Sequence, residues 1–103
     1  MENLSKIIEV YKDNPLIVNN RVYELKSYDD KTFSLQRNVF GPCGDKIPHP
    51  SIKFKYLDDE VTFIHYADFE ISPVVNKLFE KEDYEFFDKN FKRLLTEFDA
   101  FIS

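Results

Sequence analysis

Ile52-Lys53-Phe54-Lys55-Tyr56-Leu57-Asp58-Asp59-Glu60-Val61-Thr62-Phe63-Ile64-His65 is the stretch that decides the fold class of this chain. On both sides of Asp58-Asp59 the side chains follow a period of two, as in an extended strand and not a helix. A two-residue turn at Asp58-Asp59 sets Leu57 opposite Glu60 and pairs Tyr56 with Val61, Phe54 with Phe63 and Ile52 with His65. Those pairs share one face, while Lys55/Thr62 and Lys53/Ile64 share the other. Slipping the register by one residue would turn every side chain over, so the agreement between the two halves tests the pairing. Asp tolerates the left-handed backbone such a turn needs, though less readily than Gly.

The same test works outward toward the N-terminus. Asn19-Asn20 joins Leu16–Val18 to Val22–Lys26 in a compatible register. A two-residue turn at Asp29-Asp30 fails, because it aligns Lys26 with Phe33 and turns Leu25 away. A three-residue loop, Tyr28 to Asp30, restores the face by setting Leu25 against Phe33 and Tyr23 against Leu35, so a bulged or longer turn is expected there. The reading is five antiparallel strands in a meander.

Phe40 to Pro50 breaks the pattern. It holds both glycines, three of the five prolines, the single cysteine and one of two histidines, and no regular element is predicted through such punctuation. Long loops on a rigid sheet often carry function, which makes Cys43, Asp45 and His49 the loop candidates.

Helical spacing frames the strands. Leu4, Ile7, Ile8 and Tyr11 form one apolar stripe, stopped by Asp13-Asn14-Pro15. Ser72 and Pro73 read as the N-cap and first position of a helix whose stripe is Val75, Leu78 and Phe79. After Asp83, a second helix is predicted with Phe87, Phe91, Leu94, Leu95, Phe98 and Ile102 on one face, or the two join as one kinked helix. This helix should lie across Tyr23, Leu25, Phe33, Leu35, Phe54 and Phe63. The fold class is α+β: a short N-terminal helix, a five-stranded antiparallel meander, and C-terminal helix packed across one face.

The 103 residues suit one domain, and eleven Phe and six Tyr without Trp supply an aromatic core. No apolar run is long enough to cross a bilayer. Met1 to Val10 carries Glu2, Lys6 and Glu9 and does not read as a secretory leader, and one cysteine suits a reducing compartment, so the expected location is cytoplasmic. The net charge of −5 sits mostly in residues 67–103, with nine acids against five bases. Such a field selects a basic partner and disfavours nucleic acid, for which clustered Lys and Arg are needed.

Catalytic equipment is thin. A cysteine nucleophile would have to be assembled from Cys43, His49 or His65, and Asp45 or Asp68, and nothing nearby in sequence activates the thiol. Three or four ligands at zinc spacing are missing, as is a phosphate-cradling glycine loop, so no metal or cofactor is predicted. The outstanding surface feature is Glu80, Glu82, Asp83, Glu85 and Asp88, five acids within nine residues, with Tyr84 and Phe86 off the apolar stripe. Acids near a helix N-terminus also favour its dipole.

Two functional readings fit. In the first, the chain is a small acidic binding or inhibitor protein, comparable in kind to immunity proteins that neutralise toxins, docking a basic protein through Glu80, Glu82, Asp83, Tyr84, Glu85 and Asp88. A secretion-chaperone role shares these features. In the second, it is a small-molecule binder or minor enzyme with an aromatic pocket between sheet and helix, edged by His65 and Tyr56.

Overall fold

Asn19-Asn20 and Asp58-Asp59 both adopt left-handed backbone in the computed structural model, with φ of 51° and 64° at the first pair and 53° and 61° at the second. These are the dihedral signs of hairpin turns whose twist matches the flanking strands. The structure describes residues 4–102, so Glu2, used in the reading of the leader, lies outside them. Helix α1 (Leu4–Tyr11) leads into β1 (Leu16–Val18), β2 (Arg21–Ser27), β3 (Thr32–Phe40), β4 (Lys46–Leu57), β5 (Glu60–Asp68) and β6 (Val75–Leu78). A 3-10 turn, Lys81–Asp83, then opens helix α2 (Tyr84–Ala100).

The strands form one antiparallel sheet in sequence order, β1-β2-β3-β4-β5-β6. The meander is therefore as expected, but it has six strands and not five. The additional strand is β6, where a helical stripe was expected. Val75, Lys77 and Phe79 are partly buried and Asn76 and Leu78 exposed, a period of two. The spacing of Val75, Leu78 and Phe79 is helical, but the free edge of β5 took the segment as a strand, which turns Leu78 outward and keeps Val75 and Phe79 on the inner face. Ser72 and Pro73 lie in the irregular connection before it.

Register agrees near the turns and drifts at bulges. Val18 pairs with Arg21, Leu57 with Glu60, and Phe54 with Phe63. Beyond Phe63 the ladder skips Ile64, so Lys53 meets His65 and Ile52 meets Tyr66. Ile52 thus faces a core tyrosine, and His65 turns to the other side of the sheet. Between β2 and β3, Leu25 pairs with Leu35 and Tyr23 with Arg37. That is two residues from the expected alignment, which preserves the face while lengthening the loop to Tyr28–Lys31. Asp29 explains the length: its Oδ1 accepts the backbone N–H of Lys31 at 2.8 Å and Thr32 at 2.7 Å.

The expected long loop is also corrected. Only Gly41–Asp45 turn the chain, with Gly41 N–H donating to the Asp45 carbonyl at 2.8 Å. Within this turn Gly44 has φ of 80°, the left-handed backbone that favours glycine. Strand β4 has already begun at Lys46, and its prolines are tolerated because Arg37 of β3 faces both His49 and Pro50 across a bulge.

Helix α2 closes over one face of the sheet. Phe87, Phe91 and Phe98 are fully buried, and the Phe91 ring lies 4.9 Å from Phe54 and 5.3 Å from Phe63. Each such phenylalanine contributes about 1.5–3 kcal/mol through the area it removes from water. At the other end, Phe98 packs edge-on against Tyr11 at 4.7 Å and Tyr23 at 5.4 Å, and Tyr11 Oη donates to the Phe98 carbonyl at 2.9 Å. The short α1 is thereby fastened to both the helix and β2, which a helix of this length requires. The opposite face of the sheet is polar: Gln36 Nε2 donates to Ser51 Oγ at 3.0 Å and Asn38 Nδ2 to Glu24 Oε1 at 2.8 Å.

Candidate functional site

The acidic segment forms the corner where β6 passes through the 3-10 turn into α2. Its five acids are not equivalent. Asp83 Oδ1 accepts Lys77 Nζ at 2.8 Å and its Oδ2 accepts the Glu80 backbone N–H at 3.3 Å. Asp83 does begin α2, yet its side chain makes no capping bond to that helix. Asp88 is paired one turn along with Lys92 at 2.9 Å, and that hydrogen bond holds the lysine in its charged form more firmly than usual. Glu80, Glu82 and Glu85 remain exposed.

Exposed apolar side chains flank these three glutamates along the chain, Tyr84 and Phe86 on α2 and Leu78, paired with His65, on the far face of the sheet. Tyr84 is 54% exposed, Phe86 41%, Leu78 71% and Val74 59%, and Phe69 and Ile71 are exposed in the preceding connection. Among the described residues strand β6 pairs only with β5, leaving its outer edge open. Phe79 N–H donates to the Ile64 carbonyl at 2.9 Å, so the antiparallel alternation turns the backbone groups of Asn76 and Leu78 away from β5 toward that open edge.

A second feature lies where α2 crosses the bulged part of the sheet. A cleft of about 180 Å³ is lined by residues of four elements, including Arg37, His49, Tyr66, Asp68, Arg93 and Glu97. His49 Nδ1 lies 2.8 Å from Asp68 Oδ1 and 3.0 Å from Oδ2, and Asp68 Oδ1 also accepts the Glu70 backbone N–H at 3.1 Å. Arg37 donates from Nε to the His49 carbonyl at 2.8 Å and from Nη1 to Glu97 Oε2 at 2.6 Å. Glu97 Oε1 accepts the Tyr23 hydroxyl at 2.8 Å. One continuous polar chain therefore ties β2, β3, β4 and α2 together.

Burial first, and then the Asp68 charge, push the Tyr66 phenol above its ordinary pKa, while Arg37 and Arg93 oppose the rise. Tyr23 is raised in the same way by burial and by its bond to Glu97. Both phenols are held in their neutral form, and that of Tyr23 donates to Glu97.

Of the loop candidates, only His49 reaches this cleft. Cys43 is exposed at the tip of the β3–β4 hairpin, and Asp45 is exposed in the same turn. Of the sequence combinations for nucleophilic catalysis, His49 with Asp68 is brought together, whereas Cys43 is not among the residues lining the cleft. His65 instead contacts Asn76 Oδ1 on the far face, and the Tyr56 hydroxyl bonds Ser5 and Asp59. Arg37, Arg93 and Glu97 carried no signal in sequence beyond ordinary surface charge, because only the bulge and the helix crossing unite them.

Among the described residues, no His, Cys, Asp and Glu group is arranged to hold a metal ion, and no helix is long and apolar enough to cross a membrane. Compared with protein-family models, with curated proteins and with solved structures, the chain matches none of them.

Proposed function

We propose that the chain is a protein-binding module that docks a basic partner on the corner formed by the β6 edge and the start of α2. The observation that carries this reading is the coincidence of Glu80, Glu82 and Glu85 with exposed Tyr84 and Phe86 beside an open strand edge. Aromatic residues supply contact area at an interface core, and acids at its rim steer a cationic surface into register. The open edge adds main-chain donors and acceptors that a strand or extended segment of the partner could take up. Asp83 and Asp88 hold the corner's geometry through Lys77 and Lys92, so the three glutamates are the charges a partner meets.

In this reading the chain acts as an inhibitor of immunity-protein kind, neutralising a basic protein such as a toxin, or as a chaperone that escorts one. The two differ in whether the partner is inactive only while bound. The test is capture from the native host with wild type and with Glu80→Lys, Glu82→Lys and Glu85→Lys combined. The expected result is one dominant basic protein held by wild type in a salt-sensitive way and lost with the triple variant, while Lys31→Glu leaves it bound. Retention of that protein by the triple variant at unchanged affinity would overturn the proposal.

A further inference from the structure

The cleft between α2 and the β3–β4 bulge has more hydrogen-bond donors than its own acceptors use. Both of its carboxylates are already engaged: Asp68 by His49 and the Glu70 backbone, Glu97 by Arg37 and Tyr23. Among the described residues Arg93 has no ion-pair partner, although it lines the same cleft and acts on Tyr66. Arg37 uses Nε and Nη1, which leaves Nη2.

The geometry points to a binding site for a small oxyanion, a carboxylate or phosphate group, separate from the docking corner. Arg93 is the principal donor, with Arg37 Nη2 beside it. Guanidinium groups present planar pairs of N–H that match two oxygens of either anion, and these charge-assisted bonds are the strong ones. The two arginines and two carboxylates cancel in charge, so recognition rests on directed donors and not on a general field. Arg37 is the more firmly placed of the pair, because Glu97 and the His49 carbonyl fix its plane. Asp68 does the same for the His49 ring at the cleft wall, accepting from its Nδ1. At about 180 Å³ the cleft has room for phosphate or a short dicarboxylate.

The experiment is a ¹H–¹⁵N NMR titration of the whole chain with sodium phosphate and, separately, sodium succinate, each against sodium chloride at equal ionic strength. Saturable shifts around His49, Tyr66 and Arg93 are expected with at least one oxyanion and not with chloride. Arg93→Gln, at an exposed position without an ion-pair partner among the described residues, should weaken binding about tenfold or more, as loss of a bond to a charged group implies. Lys89→Gln on the same helix should leave it unchanged. Saturation by phosphate alone or succinate alone assigns the anion. No saturation by either, or equal weakening in the two variants, would overturn the proposal.

Discussion

Replacing Glu97 with Gln tests the polar chain that fastens α2 to the sheet. The carboxylate takes two bonds, from Tyr23 Oη at 2.8 Å and from Arg37 Nη1 at 2.6 Å, and the side chains of Glu97 and Arg37 are 27% and 17% exposed. An amide of the same shape can accept from only one of these donors and turns its own N–H groups toward the other. A hydrogen bond to a charged group is worth roughly 1.5–3 kcal/mol when well buried, and partial exposure lets water replace some of it. The expected loss is about 2 kcal/mol, which for a domain of this size lowers Tm by about 10 °C. Urea unfolding followed by far-UV circular dichroism at neutral pH gives the value, with an unchanged m-value showing that the native state is still folded. Arg37→Gln should cost a similar amount, and the double variant less than the two losses together by about 1–2 kcal/mol. A loss under about 0.5 kcal/mol for Glu97→Gln, or strict additivity in the cycle, would refute the view that this pair couples helix to sheet.

Phe91→Ala should cost about 3–5 kcal/mol, because the ring is fully buried between Phe54 and Phe63 and nothing can move in to fill its place. Urea unfolding checks this, and a loss below about 1 kcal/mol would contradict the packing. Alkaline pH should destabilise the fold. Tyr11, Tyr23 and Tyr66 all have pKa values raised, chiefly by burial, so their contribution is fully present below the unfolded tyrosine value of about 10 and is lost as pH rises through the folded values. Tyr66→Phe should flatten that decline when unfolding is measured at stepped pH from about 9 to 11.5. Asn20→Gly should stabilise by about 0.5 kcal/mol, since φ of 64° is held there by a residue with a Cβ and Asn-Gly is the preferred pair for such a turn. An unchanged urea midpoint would show that the turn carries no strain to relieve.

The elements legible in sequence were those whose partner lies close along the chain. Leu57 to Glu60 spans one turn, so parity fixed the shared face of Phe54 and Phe63. Parity also rejected a two-residue turn at Asp29-Asp30, although it could not distinguish registers two residues apart, and the Asp29 side chain selected the longer loop. The Phe40–Pro50 segment misled because proline and glycine usually end structure, yet Pro48 and Pro50 stand beside a bulge that absorbs their missing N–H groups. The acidic corner was visible as composition, but which of its acids are free depended on where Lys77 and Lys92 reach.

Local period determined that this chain folds as a meander beneath an aromatic helix, since spacings of two and of 3.6 are written in adjacent residues and follow from backbone geometry alone. Tertiary structure decided the rest. Val75–Leu78 became a strand because β5 offered an unpaired edge, a hydrogen-bonding demand no local window contains. The cleft exists because single-residue bulges re-aim side chains of β4 and β5 beneath a helix arriving from the chain's end. Arg37, His49, Asp68 and Glu97 come from four different elements, and only three-dimensional pairing sets them within hydrogen-bond reach of one another.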